Sequence, residues 1–340
     1  MLYLIKIDNY SSTPKYQQIF NCITKGIQDG NIESGEKLPS IPEICSANDI
    51  AKKTVEKAYN LLKSKDIIEA IQGKGHYVKA TELKQRKRIF LLFNKLSRHK
   101  KIIYDNFVQT LGEEAAVDFY VYHNEFSIFN DLITQPHHSS VYSHYVIISH
   151  FMSSAHKAKD IINQLPKQKL LILDKLVPGI SGDYAAVYQD FEKNIFESLK
   201  SLQNRIKKYN KFNLIFPYDT YQPRDIIWGF QKFCIEADIS YHVINDIAET
   251  PIKEGEAYIS LMEEDLVTLI KKIKKKDLET GRNIGVISYN ENPLKEILLD
   301  GITVISTDFE QMGISAAQQI LNETRLHIEN PFKVIVRNSL

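Results

Sequence analysis

The sequence predicts an α/β protein in two unequal parts, a small α+β unit over residues 1–79 and a larger two-lobed unit of doubly wound parallel sheets over 89–340. Three observations carry this. Residues 1–79 hold short amphipathic stretches closed by a glycine-flanked turn, whereas from residue 89 short apolar runs alternate with longer amphipathic ones, the pattern of strands and covering helices. Charge divides at the same place: residues 1–88 hold 15 Lys+Arg against 10 Asp+Glu, and the remainder 28 against 32. The length of 340 residues exceeds one ordinary domain.

In the first part, Leu2, Leu4 and Ile5 form either an extra strand or a frayed lead-in. From residue 15 to 29, Ile19, Phe20, Ile23 and Ile27 mark an amphipathic helix that Gly30-Asn31 ends. Leu38-Pro39-Ser40 is a helix start, with Ser40 as the cap, and Asn48-Asp49 breaks that helix. The next helix buries Val55, Ala58, Tyr59 and Leu62, which leaves Lys52, Lys53, Thr54 and Lys57 mostly on the other face, where their chemistry suits phosphate contact. The tip Gln72-Gly73-Lys74-Gly75 turns tightly and holds Lys74 at its apex, as a wing would. Such a unit can lay a helix in a major groove, and the cationic end of the chain is then its DNA end.

These residues resemble the winged helix-turn-helix of GntR-type bacterial transcription regulators: Tyr16-Gln17-Gln18-Ile19, Gly35-Glu36-Lys37-Leu38-Pro39-Ser40, Thr54-Val55, Ala58-Tyr59, Leu62 and Gly73-Lys74-Gly75. The resemblance implies DNA contacts from Tyr16, Lys37, Ser40, Lys52, Lys53, Thr54, Lys57, Gly73, Lys74 and Gly75. Three departures bear on sequence preference. Pro42 stands where the family usually has a base-reading arginine, Ala51-Lys52-Lys53 replaces the usual Val-Ser-Arg, and Asp66 replaces the glycine before the wing. The family's usual operator is therefore not implied.

Residues 80–88, polar and basic, read as an interdomain linker. Beyond it, strands are expected at 89–93, 117–121, 145–148, 170–173, 213–216, 241–244, 257–260, 284–288 and 303–305. Helices are expected at 101–112, 155–164, 191–209, 224–237, 264–276 and 311–322. The pattern divides into two similar halves near 184–190, as two sheets facing a cleft would.

This second part resembles the effector domain of LacI/GalR repressors, itself similar to periplasmic sugar-binding proteins. The resemblance rests on Leu171-Ile172-Leu173-Asp174, Val187-Tyr188-Gln189-Asp190, Pro223-Arg224 through Gly229-Phe230, Gly285 through Leu294, and Glu310-Gln311-Met312-Gly313 with Ala316-Ala317. A GntR-type reader joined to such a sensor resembles the arabinose-repressor branch, and implies a monosaccharide or sugar-phosphate effector.

A sugar needs edge-on hydrogen bonds and an aromatic face inside a closing cleft, and strand C-termini are where those groups project. On this rule Asp174, Arg224, Trp228, Glu263 and Asn290 are candidates from the second half, and Phe93, Asn94, His123 and His150 from the first. Each has a plainer reading: Trp228 as core beside Phe230 and Phe233, Asp174 and Asn290 as local turn residues, Arg224 as a helix-start ion pair. Ile226 stands where the family usually carries an effector-binding arginine, and Arg224 lies two residues earlier.

With 43% hydrophobic and 25% charged residues, the composition is that of a globular chain, without an apolar run long enough for a membrane span. A cytoplasmic location is expected. Cys22, Cys45 and Cys234 read as apolar fillers, and His137, His138, His144, His150 and His156 lack a shared helical face that would suit a metal. No cofactor is expected. The leading function is a one-component regulator, a homodimer on a pseudo-palindromic double-stranded operator of a carbohydrate operon, with repression favoured. The alternatives are a DNA-binding head fused to an enzyme-like domain, for which no nucleotide loop or nucleophile motif speaks, or to a degenerate domain that serves only dimerisation.

Overall fold

The computed structural model describes residues 1–79, 87–134, 141–152 and 155–340. The head comprises α1 (Lys15–Gln28), α2 (Ile41–Asn48), α3 (Lys52–Ser64) and the antiparallel hairpin of β1 (Ile68–Ile71) and β2 (Gly75–Val78). Ser40 opens α2 through a reciprocal cap: its Oγ accepts from the Glu43 amide at 3.4 Å, and its own amide donates to Glu43 Oε2 at 2.7 Å. Asp49, at φ 49°, ends the helix in the left-handed region. The Tyr59 hydroxyl donates to the Pro39 carbonyl at 2.5 Å, tying α3 to the entry of α2. Residues 2–4 form one 3-10 turn, neither a strand nor a frayed end, because Ile5 is drawn into the head core with Ile19, Phe20 and Val55.

The body follows as β3 (Lys87–Phe93), α4 (Arg98–Leu111), β4 (Ala115–Val121), α5 (Phe126–Thr134), β5 (His144–Ile148), α6 (Ala155–Ile162), β6 (Leu170–Asp174) and β7 (Ala185–Tyr188). It continues as α7 (Phe191–Ser201), α8 (Gln203–Ile206), β8 (Lys211–Ile215), α9 (Asp225–Glu236), β9 (Tyr241–Ile244), β10 (Glu256–Ser260) and α10 (Glu263–Lys275). It ends with β11 (Ile284–Tyr289), α11 (Leu294–Ile297), β12 (Thr303–Thr307), α12 (Phe309–Leu321), β13 (His327–Glu329) and β14 (Phe332–Ile335). One sheet runs β13-β7-β6-β5-β3-β4, all parallel; the other runs β14-β12-β11-β10-β8-β9, parallel except for β14. Each sheet carries apolar clusters on both faces, so its strands read as continuous apolar runs rather than alternating ones.

The linker expected at 80–88 falls mostly on residues 80–86, outside the described residues. Lys87 and Arg88 already belong to β3, paired with Ala115 and Ala116. The division near 184–190 is a crossing between lobes, but there are two more. After β12 the chain returns to the first lobe, where α12 packs on α4 and β13 joins the sheet edge, before β14 goes back. Periodicity along the chain reports elements and not the lobe each one joins. Gly313 makes the α4–α12 contact possible, since a Cβ there would sit 2.4 Å from the Ile103 carbonyl; Gly229 does the same for α7 and α9 against the Glu192 carbonyl at 2.3 Å. Asn330 stitches the crossings: its amide donates to the Tyr188 carbonyl at 2.7 Å and its side chain to Thr307 Oγ1 and the Asp308 carbonyl, both at 2.9 Å.

Residues 11–13 lie along β4, the edge strand of the first lobe. The Ser12 amide donates to the Phe119 carbonyl at 2.6 Å, and the Phe119 amide donates to Thr13 Oγ1 at 2.6 Å. Lys65 of the head pairs with Glu113 of the first lobe.

Candidate functional site

In the head, Lys52, Lys53 and the wing tip from Gly73 to Gly75 are exposed, and Thr54 is half-buried at the start of α3. Lys37 is exposed on the chain beside β2, its Cε 3.2 Å from where a Gly75 Cβ would stand, so it shares the wing's surface. Lys57 turns to α1, with its ammonium 3.9 Å from the centre of the Tyr16 ring. Lys52 lies within 3.5 Å of Glu56 one turn on, an exposed pair that a phosphate can displace at little cost.

Between the lobes lies a cavity of about 310 Å³. Its floor is a buried cluster at the end of β6. Asp174 Oδ2 accepts from Lys100 Nζ at 2.6 Å and from His150 Nε2 at 3.0 Å, and Oδ1 accepts from Gln189 Nε2. The Lys100, Asp174 and His150 side chains are all less than a tenth exposed. Burial alone would raise the Asp174 pKa, but Lys100 and His150 outweigh it and hold the carboxyl far below the usual range. Burial lowers the His150 pKa despite its carboxylate partner. The backbone of Asp174 is left-handed, at φ 75°, an uncommon conformation that Asp tolerates better than most residues.

The facing wall comes from the second lobe. Asn290, at φ 63°, follows β11, and Lys295 Nζ donates to the carbonyls of Tyr289 at 3.0 Å and Asn290 at 2.6 Å. Glu263 starts α10 and accepts from Asn292 Nδ2 at 3.2 Å. Hydrogen bonds cross the cleft: Lys95 Nζ donates to the Tyr221 hydroxyl at 2.6 Å, His99 Nε2 to the Glu291 carbonyl at 2.9 Å, and the Tyr289 hydroxyl to Gln189 Oε1 at 3.4 Å.

Of the candidates drawn from the sequence, His150, Asp174, Glu263 and Asn290 line this cavity together, with Asn94. Asp174, grouped with the second half on sequence, belongs to the first-lobe sheet. Phe93 does not line it. It is fully buried, edge-on to Phe119 at 5.1 Å, because alternation along β3 turns it into the core and leaves the next residue, Asn94, at the cleft. Trp228 is neither platform nor core: α9 buries Ile226, Gly229, Phe230 and Phe233, which leaves Trp228 54% exposed, and Arg224 is exposed at the helix start. Lys95, Lys100 and Tyr221 also line the cavity without having been singled out on sequence, and Gln189 and Tyr289 enter the sequence reading only within the segments that carry the resemblance. One signal was available. The first turn of α4 holds Arg98, His99, Lys100 and Lys101 with no acidic residue, against the helix dipole, and of these Lys100 is the one whose buried charge is met elsewhere, by Asp174. Among the described residues no group of His, Cys, Asp or Glu is arranged to hold a metal ion; His137 and His138 lie outside them. No helix among the described residues is long and apolar enough to cross a membrane.

A winged helix-turn-helix head joined to a two-lobed α/β body defines the class. Residues 15–78 match the family model of bacterial regulatory proteins, gntR family, and the head is a GntR-family helix-turn-helix domain. The HTH-type transcriptional repressor YtrA of Bacillus subtilis is 39% identical over 75 residues, 22% of this chain and 58% of YtrA. The uncharacterized HTH-type transcriptional regulator YurK of the same organism is 37% identical over 79 residues, 23% of this chain and 33% of YurK. The match thus spans about half the length of the first of these relatives and a third of the second. The body has the fold of LacI-type regulators. The trehalose repressor of Escherichia coli superimposes with a TM-score of 0.61 at 11% identity, covering 74% of this chain and 100% of that one. A LacI family transcriptional regulator from Lactobacillus casei with bound glucose gives 0.59 at 13%, covering 75% and 100%.

Proposed function

We propose that this chain is a one-component transcription regulator, a repressor of a carbohydrate operon, whose operator affinity is set by a monosaccharide or sugar phosphate in the interlobe cleft. The observation that carries this is the cavity itself: it is lined from both lobes by polar and aromatic side chains together, and bridged by contacts that a ligand would tighten or replace. In this reading the chain acts as a homodimer, with two heads on the half-sites of a pseudo-palindromic operator. Closure of the lobes changes the spacing of the heads, and the operator is released.

Two measurements test it. DNase footprinting upstream of the neighbouring genes, repeated with and without a sugar panel, should show a protected palindrome that one compound abolishes; protection insensitive to every compound sinks the effector role. Lys53→Ala and Lys74→Ala should each weaken binding to all sequences and lower the slope of log K against log salt by about 1. An unchanged slope in both would remove them from the phosphate contacts.

A further inference from the structure

Lys53, Lys57, Leu61 and Lys65 follow one another at four-residue spacing and form one stripe of α3, with Lys65 the residue that ends the helix. The two ends of the stripe meet different surroundings. Lys53 is exposed, whereas Leu61 and Lys65 line a cavity of about 300 Å³ between the head and the first lobe, where Lys65 pairs with Glu113. Lys57, midway, holds its ammonium 3.9 Å from the centre of the Tyr16 ring, and Tyr16 lines that same cavity with Tyr104 and Val108 of α4. Thr13 fastens the other margin. Its Oγ1 accepts from the Phe119 amide at 2.6 Å and donates to the Val117 carbonyl at 3.4 Å, and Pro14 joins it directly to α1. A joint of this kind is one that parts. A permanent interface packs to the density of an interior, but this one encloses nearly as much space as the cleft and is held at its margins by a short strip and an ion pair whose carboxylate is exposed. Glu113 and Glu114, both exposed at the lobe's edge, also set two carboxylates where phosphates would approach the lower half of the stripe.

We infer that the first lobe holds the head in an autoinhibited pose, in which the start of α1 and the end of α3 are seated against α4 and β4, and that DNA competes with this seat for Lys57 and Lys65. A duplex meets the seated head through Lys52, Lys53 and the wing, and gains Tyr16, Lys57 and Lys65 when the lobe's edge withdraws. Affinity is then reduced by the fraction of chains that are seated. The inference rests on the head as the DNA reader and is independent of any effector in the cleft.

The test uses the full chain and fluorescence anisotropy with a labelled DNA duplex of random sequence at low salt, where phosphate contacts dominate. Thr13→Val removes the seat's hydroxyl without a change of charge and should tighten binding about fivefold, the weight of one hydrogen bond on the seated state. Glu113→Gln should tighten it more than Glu114→Gln, which makes the same change of charge one residue away. Hydrogen exchange gives the direct readout: the Phe119 amide, held by Thr13 in the free chain, should exchange faster in the DNA complex and should already be fast in Thr13→Val. If Thr13→Val does not fold, the Glu113→Gln comparison and the exchange of the unaltered chain decide. Variants that bind no more tightly than their controls, or a Phe119 amide equally protected with and without DNA, overturn the inference and leave the head a reader that works while seated. No binding of the duplex by any form overturns both the inference and the head's role as reader.

Discussion

On the first-lobe wall of the cleft, shape is held by buried charge: Asp174, Lys100 and His150 lock one another beneath a left-handed strand end. On the second-lobe wall it is held by backbone. Lys295 grips the carbonyls of Tyr289 and Asn290, and Asn290 is left-handed in the same way at φ 63°. The two walls reach one geometry, a strand end turned outward with its side chain at the cavity, by different means. A charge cluster is stiff and pH-sensitive, and fails all at once when one member is removed. A lysine on carbonyls fails by degrees.

The sharpest way to break this contrast is Asp174→Ala, which leaves Lys100 buried without a counter-charge and should cost about 3–5 kcal/mol in urea unfolding. The double change Lys100→Met with Asp174→Asn should restore most of that loss, because both charges go together; if it is as unstable as the single variant, charge balance is not what holds the wall. Acid titration of stability is next. Asp174 ionises more readily in the folded chain, so its contribution is present above the unfolded carboxyl pKa of about 4 and is lost as pH falls below it. His150, depressed by burial, adds loss below about pH 6.5, where the unfolded imidazole takes a proton. The double variant should be less acid-sensitive than the unaltered chain by on the order of 2 kcal/mol between neutral pH and pH 3. On the other wall, Lys295→Met should cost about 1–2 kcal/mol, since two carbonyls lose their donor. Asn290→Gly should be stabilising by less than about 1 kcal/mol, as it relaxes the left-handed backbone. A loss there would mean that the Asn290 side chain supports the wall and does not merely line the cavity.

The head was legible because its signals are local. The Ser40–Glu43 cap, the stripe of Val55, Ala58, Tyr59 and Leu62, and the glycines around Lys74 all lie within one contiguous stretch. The body's strands were legible for the same reason, except β7, β13 and β14; β13 and β14 are edge strands with no buried residue, so they lack the continuous apolar run of the central strands. The site was legible where a residue ends a strand or follows it within three positions, as Asn94, His150, Asp174, Glu263 and Asn290 do. Lys100 sits on a helix and meets Asp174 across 74 residues, and Gln189 meets Tyr289 across 100. Such pairings exist only once the sheet order is known. Trp228 misled because aromatic content reports burial or binding equally, while the phase of α9 decided against both.

The strip of residues 11–13 along β4 has one more implication. Pro14 sits directly between this strip and α1, so there is no slack between the head's first helix and the first lobe. The chain also leaves the head toward β3, the strand next to β4. Both moorings of the head are therefore on one rim of one lobe. The head's contacts described above, the 11–13 strip and the Lys65–Glu113 pair, fall on the first lobe, so in the proposed reading a change in the cleft reaches the head as a tilt of that β3–β4 rim.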